Sequence, residues 1–110
     1  MEYIEIEKDE IPYSFEIMLD DEMYTLEIKY NERQELFTVS LYDSEDNPLV
    51  YAEPIVYGQE LFKDVRDLNF PIDRIIPLDP ASYETEVTYE NFGTTVLLVV
   101  DDESEGEINE

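Results

Sequence analysis

The chain is 110 residues long and carries 30 acidic residues against 6 basic ones, a formal net charge of −24. Its apolar content of 43% and aromatic content of 13% are too high for a disordered chain, so we expect one domain with a single core. A surface this acidic repels phosphate, which disfavours nucleic acids and anionic membranes and favours a basic protein partner or simple solubility.

The residue types on which many enzymes depend are missing. The sequence holds no cysteine and no histidine, which removes disulfides, thiolate nucleophiles, the commonest general base and the commonest zinc ligand. Three glycines are too few for a phosphate-binding loop. The longest apolar run, residues 96–100, is too short for a membrane span, and the N-terminus lacks a signal-peptide pattern. We therefore expect a cytoplasmic, non-enzymatic protein without metal or other cofactors.

A three-stranded meander over residues 13–43 is the clearest structural prediction. Three segments alternate apolar and polar residues with period two, as strands with one buried face do. Short polar linkers, residues 20–22 and 31–34, join them, which predicts antiparallel hairpins. A short strand over residues 2–6 precedes the meander. The side chains expected on its buried face are Tyr13, Phe15, Ile17, Leu19, Tyr24, Leu26, Ile28, Tyr30, Phe37, Val39 and Leu41.

After the meander the sequence predicts short strands and one helix. Residues 43–48 have the composition of a turn. Two short strands are predicted over residues 49–52 and 55–57, separated by Glu53-Pro54. Residues 59–68 form the only predicted helix, because their apolar side chains recur at helical spacing.

The C-terminal part combines a proline-containing loop with an apolar strand. Three prolines in residues 69–82 predict an extended loop. Residues 94–100 predict a strand that is covered on both faces at the centre of the core. The fold class is therefore all-β: a small antiparallel β-barrel or sandwich built on the meander, with one short helix. We expect residues 1–102 to form a single β domain and residues 103–110 a disordered acidic tail.

The many carboxylates allow two alternatives to a structural role. Oxygen atoms of residues 43–47 could bind calcium, but the EF-hand spacing is absent and a hairpin turn of Asx type explains the same residues. The negative charge could also make the chain a nucleic-acid mimic that occupies the basic groove of another protein. Such a mimic needs its acids in rows at phosphate-like spacing.

Tyrosines outside the predicted core are the other functional candidates. Tyrosine is enriched in protein interfaces, because its ring can be half-buried while its hydroxyl stays in water. An ordinary small β core explains the pattern equally well. The tyrosines predicted at strand ends or in loops are Tyr30, Tyr42, Tyr51, Tyr57, Tyr83 and Tyr89.

The order of several short segments resembles the phage baseplate plug family, small all-β proteins of tailed-phage and prophage baseplates. The resemblance covers about residues 2 to 102. The matching segments are Ile11-Pro12 before the meander, Asn47-Pro48-Leu49 after it, Pro54-Ile55-Val56-Tyr57-Gly58 followed by Leu61-Phe62, and Glu90-Asn91-Phe92-Gly93-Thr94 before the last strand.

The resemblance implies a non-enzymatic structural component of a phage or prophage tail baseplate that docks against tail-tube or hub proteins. It implies no cofactor, and a place in the virion tail after assembly. The runner-up function is an acidic interaction module or nucleic-acid mimic that binds a basic protein partner. For Gly58 and Gly93, the alternative to a docking role is turn geometry. The possible partner-docking residues are Tyr57, Gly58, Leu61, Phe62, Asn91, Phe92 and Gly93.

Overall fold

The structure, a computed structural model, describes residues 2–67 and 73–101. Within these ranges the chain forms two antiparallel β-sheets, one short α-helix and a single 3-10 turn. The elements are β1 (Glu2–Ile4), the 3-10 turn (Lys8–Glu10), β2 (Tyr13–Leu19), β3 (Glu22–Asn31), β4 (Leu36–Tyr42), β5 (Pro48–Pro54), α1 (Lys63–Asp67), β6 (Arg74–Leu78) and β7 (Leu97–Asp101).

The predicted meander is confirmed as three strands of a four-stranded sheet in the order β2-β3-β4-β5. The register of β2 against β3 runs without a shift from Tyr13 opposite Ile28 to Leu19 opposite Glu22. Asp20 and Asp21 both have positive φ, as a two-residue hairpin of type I′ requires. All the side chains predicted to face the core are buried or half-buried, so the period-two pattern identified the inner face correctly.

The prediction of two short strands divided at Glu53-Pro54 is wrong. One strand, β5, runs through Glu53 and ends at Pro54, and the next residue continues as coil, with the Ile55 N–H donating to the Phe37 carbonyl at 2.9 Å. Because β5 is the last strand of its sheet and Pro54 is its last residue, the missing N–H of the proline breaks no ladder hydrogen bond.

The second sheet has three strands in the order β1-β7-β6. Its strand β6 corrects the prediction of an extended loop over residues 69–82, since Arg74–Leu78 pairs with β7 in spite of Pro77. As an edge strand, β6 tolerates a proline whose nitrogen faces away from the ladder. Residues 69–72 of the predicted loop lie outside the described residues.

The apolar strand near the C-terminus begins later than predicted. β7 starts at Leu97, because residues 93–96 are folded into a turn that the Asn91 carbonyl holds. Its predicted central place is confirmed within its own sheet, where it lies between β1 and β6. Leu98 and Val99 point to opposite faces and both are buried, which explains why the sequence shows no alternation here.

The two sheets share one apolar core. Leu26, Ile28 and Val39 of the four-stranded sheet lie in the same cluster as Ile4 and Leu98 of the other sheet. Among the described strands, ladder pairing occurs only within each sheet, so neither sheet closes on the other. The predicted all-β class is confirmed, and of its two forms the sandwich fits.

The predicted helix over residues 59–68 is largely wrong. α1 covers only Lys63–Asp67, because Leu61 pairs with Ile75 of β6 and Phe62 has a φ of 59° that no helix accepts. Leu68 and the predicted tail over residues 103–110 lie outside the described residues. In the described part, no helix is long and apolar enough to cross a membrane.

Candidate docking loops

The first predicted docking segment, residues 57–62, lies along the outer edge of β6. The Gly58 N–H donates to the Pro77 carbonyl at 2.8 Å, and the Leu61 N–H donates to the Ile75 carbonyl at 2.8 Å. At the far end of β6, the Tyr57 hydroxyl accepts a hydrogen bond from the Asp79 N–H at 3.1 Å. Main-chain bonds to one strand therefore fix the path of this segment.

Glu53 joins the same segment to β5. One of its carboxylate oxygens accepts the Phe62 N–H at 2.9 Å. Burial raises the pKa of the Glu53 carboxyl, the Phe62 N–H opposes that shift, and the negative charge of Asp64 adds to it. The carboxylate holds the backbone of Phe62 while the ring of Phe62 is buried in the core.

Asn91 organises the second predicted segment, residues 91–93. Its side-chain Oδ1 accepts the Thr88 N–H at 2.8 Å, and its Nδ2 donates to the Glu86 carbonyl at 3.0 Å. Its main-chain carbonyl accepts three N–H groups of the next turn, from Thr94, Thr95 and Val96. One buried asparagine thus ties the chain on both sides of it into a compact loop before β7.

The two glycines of these segments have the backbone conformation that the sequence predicts. Gly58 has a φ of 77° and Gly93 a φ of 86°, values that side chains with a Cβ resist. The Gly93 N–H closes its turn by donating to the Val96 carbonyl at 2.8 Å. Turn geometry is therefore a confirmed role for both.

Phe92 belongs to an aromatic cluster at the start of β4. Its ring centroid lies 4.5 Å from that of Phe37, which also contacts Tyr30 and Tyr89 at 4.7 and 5.9 Å. The Lys8 ammonium lies 4.6 Å from the centre of the Tyr89 ring, a cation–π contact. The outer rings line an open groove of about 450 Å³ that also includes Lys29.

The predicted docking residues form two groups with different exposure, since Tyr57 and Gly93 are half-buried and Gly58 is exposed, whereas the other four are buried. Leu61, Phe62, Asn91 and Phe92 are buried, so in this conformation they support the loops and do not offer contact surface. Exposed apolar surface on the same loops comes from neighbours, Val56 at 41% and Tyr89 at 49%. The sequence did not single out Val56, since alternation within a short apolar run does not show which residue faces water.

The acidic turn after β4 is confirmed as a turn of Asx type. Asp43 Oδ1 accepts the N–H groups of Glu45 and Asn47, each at 2.9 Å, and Oδ2 accepts the Asn47 side-chain amide at 3.1 Å. The Asn47 donors, first the backbone and then the side chain, lower the pKa of Asp43. Within the described ranges, no group of three acidic residues is placed to hold a metal ion.

Asp79 is a structural acid that the sequence pattern does not reveal. Its carboxylate accepts the N–H groups of Ala81, Tyr83 and Glu84 at 2.8–2.9 Å. Burial alone would raise the pKa of this carboxyl, but the three donors outweigh burial and lower it. In a chain with 30 acids, nothing in the sequence separates this one from its solvent-exposed neighbours.

Comparison with known proteins adds the family to this geometry. Residues 1–103 match the model of a family described as Cyanophage baseplate Pam3 plug gp18. No curated protein sequence matches the chain. The family match includes every described strand and both loops, and it agrees with the resemblance seen in the sequence. The chain belongs to this cyanophage baseplate plug family.

Proposed function

We propose that the chain is a non-enzymatic structural component of a phage or prophage tail baseplate, where it docks against tail-tube or hub proteins. The family match over residues 1–103 carries this proposal. The protein would be made in the cytoplasm and reach the virion tail by assembly. Residues 1–102 would act as one rigid domain, with residues 103–110 as an acidic extension.

The docking surface proposed for this function lies on the loops that contain residues 54–62 and 89–94. Main-chain hydrogen bonds fix both loops, so little conformational entropy would be lost when they meet a partner. Their exposed apolar side chains, Val56 and Tyr89, would supply the contact, while the buried Leu61, Phe62 and Phe92 keep the loops in shape.

Co-assembly with tail proteins tests the function. The chain is co-expressed with the tail-tube and hub proteins encoded by the same phage or prophage, and complexes are isolated through a tag on the tube or hub protein. We expect the chain to be recovered in a complex of defined stoichiometry. Failure to associate with any tail component, under conditions in which the other components assemble, would contradict the proposal.

A pair of matched variants tests the docking surface. Val56→Glu places a charge on the proposed surface, whereas Tyr51→Glu places one on the outer face of β5, where the side chain is 70% exposed. Both variants should fold, because both side chains already contact water. We expect Val56→Glu alone to reduce recovery in the complex; equal recovery of the two variants would place the docking surface elsewhere.

A further inference from the structure

Among the described strands, β2 has a partner on only one side of its backbone. It is the first strand of its sheet, and among the described residues only β3 pairs with it. The two-residue turn makes Leu19 and Glu22 a hydrogen-bonded pair. Since such pairs alternate along the ladder, Ser14, Glu16 and Met18 direct their main-chain N–H and C=O groups away from β3.

A hydrogen bond on the other side of the sheet supports this assignment. The Phe37 carbonyl accepts the Ile55 N–H, so the main chain of Phe37 faces β5. Its cross-strand neighbour Tyr30 must then direct its main-chain groups towards β2, and alternation gives Ile28 the same direction. Ile28 lies opposite Tyr13, which again leaves Ser14 to point outwards.

The apolar face of β2 is also incompletely covered. Phe15 and Ile17 are only half-buried, whereas Leu26 and Ile28 on the neighbouring strand are fully buried. Beside them a groove of about 410 Å³ separates β2 from β1, the edge strand of the other sheet. Met18 on its rim is 60% exposed. In the part of the chain that the structure describes, the sandwich therefore has an open side, where no strand pairs with β2 and its apolar side chains are only half-buried.

The charge of this groove defines what can fill it. Four acids line it, Glu2, Glu5, Glu16 and Asp73, and its described lining contains no lysine or arginine. We propose that β2 receives an extended segment of a partner protein as an added strand, one in which apolar residues alternate with lysine or arginine. This proposal rests on the proposed docking function and adds, at the β2 edge, a contact surface separate from the loops of residues 54–62 and 89–94.

The alternation follows from the pleat of the sheet. In an added strand, every second side chain would point inwards against Phe15 and Ile17, and the others would point outwards beside Glu16. Apolar side chains suit the inner positions and basic ones the outer positions. Addition of a strand to a sheet edge is a general mode of peptide recognition, in which main-chain bonds provide affinity and alternate side chains provide specificity.

Charge disfavours both a second copy of the chain and the chain's own C-terminal residues as occupants. A second copy paired antiparallel about the centre of β2 would bring Glu16 opposite Glu16, and like charges directly opposite each other destabilise a strand pair. Residues 102–110 carry five acids and no basic residue, so they would meet the four groove acids with the same sign.

Peptide binding to the full chain, labelled with ¹⁵N, tests the proposal by NMR. The probe is the blocked pentapeptide acetyl-Val-Lys-Val-Lys-Val-amide, compared with its Glu-for-Lys counterpart. We expect shifts and slower hydrogen exchange at the Ser14, Glu16 and Met18 amides, and affinity for the lysine peptide roughly tenfold higher at low salt. A lysine peptide N-methylated at every residue, which keeps its charge but has no N–H group to donate, should bind much more weakly.

Two substitutions provide the matched control. Glu16→Lys should weaken the preference for the lysine peptide, while Glu32→Lys, in the β3–β4 turn, changes the net charge equally and should leave the preference unchanged. Equal effects of the two substitutions, equal binding of the N-methylated peptide, or no perturbation of the edge amides would each overturn the proposal. Co-assembly in the absence of peptide binding would overturn it while leaving the proposed function intact.

A spin label identifies the competing occupants. The chain contains no cysteine, so Asn109→Cys gives one labelling position in the terminal segment and Ser14→Cys gives one at the edge. When either spin-labelled variant is mixed with the unlabelled chain, we expect no broadening of the β2 amide signals of the unlabelled chain. Broadening of the Glu16 and Met18 signals by the Asn109→Cys label within one chain, together with slow hydrogen exchange of these amides in the absence of peptide, would show that the chain's own terminus fills the groove, and would refute the proposal.

Discussion

Replacing Asn91 by aspartate should destabilise the second docking loop through a single changed group. Asn91 is 7% exposed, and its Nδ2 donates to the Glu86 carbonyl at 3.0 Å while its Oδ1 accepts the Thr88 N–H at 2.8 Å. An aspartate keeps the acceptor for Thr88. It loses the donor for Glu86 and places a carboxylate oxygen against the carbonyl oxygen.

The expected loss can be estimated from these contacts. Losing the hydrogen bond and leaving a buried carbonyl unpaired costs about 1–3 kcal/mol, and a buried charge without a countercharge adds to that cost. We expect the free energy of unfolding at pH 7 to fall by about 2–4 kcal/mol. For a domain of this size, that corresponds to a melting temperature lower by about 10–25 °C.

The loss should depend on pH. The new carboxyl is stabilised in its neutral form, whose O–H can donate to the Glu86 carbonyl, so its pKa in the folded state should lie above the unfolded value of about 4. The penalty is then full at neutral pH and decreases as the pH falls through the folded pKa. Urea unfolding followed by circular dichroism measures the free energy of unfolding at pH 7 and at pH 5.

An exposed asparagine provides the control. Asn31 is exposed, and its Oδ1 accepts the Gln34 N–H at 3.0 Å, so Asn31→Asp adds the same charge without burying it. We expect its unfolding free energy to stay within about 0.5 kcal/mol of the parent. Equal losses for the two variants, or a loss for Asn91→Asp that is the same at both pH values, would refute the role assigned to the Glu86 contact.

Four further substitutions test the loops. Gly93→Ala should cost about 1–2 kcal/mol because of its φ of 86°, with Gly58→Ala similar in thermal unfolding; a far larger loss at Gly93 alone would indicate crowding against Ile6. The pKa of Asp79 is lowered, so its stabilisation is present above about pH 4 and lost as the pH falls through the folded pKa. Asp79→Asn should flatten that acid limb, and an unchanged limb would contradict the assignment. The pKa of Glu53 is raised, so its charged form destabilises the fold at neutral pH. Glu53→Gln, which can still accept the Phe62 N–H, should be more stable than the parent at pH 7 and equally stable at acidic pH. A stability difference that does not change with pH would exclude titration of Glu53 as the cause.

The meander could be predicted because its information is local. Period-two alternation and short polar linkers determine strands, faces and pairing without reference to the rest of the chain. The predictions of secondary structure are wrong where contacts with the rest of the fold determine the conformation. Pro54 and Pro77 read as strand breakers, but they lie in the edge strands β5 and β6, where a missing N–H costs little; nothing in the sequence shows which strands are edges.

In the loops too, local features could be predicted from the sequence and tertiary contacts could not. Gly58 and Gly93 could be assigned to turns, since glycine is the residue that positive φ requires. Leu61 and Phe62 fit a helical stripe, but Leu61 pairs with Ile75 of β6 and the Phe62 N–H donates to Glu53 of β5. These partners are remote from the helical pattern in sequence. Asp79 could not be found at all, because its three N–H donors come from a loop whose path depends on the carboxylate that they surround.

The tight turn at Asp20 and Asp21 determines more than the start of β3. A loop of two residues permits a single alignment of the strands it joins, so β2 cannot slide along β3 without unmaking the hairpin. A slip of one residue would carry Glu16 and Met18 into the core and expel Phe15 and Ile17. The register of the β2 edge is thus fixed. Any chain that binds there meets the same order of main-chain and side-chain groups each time.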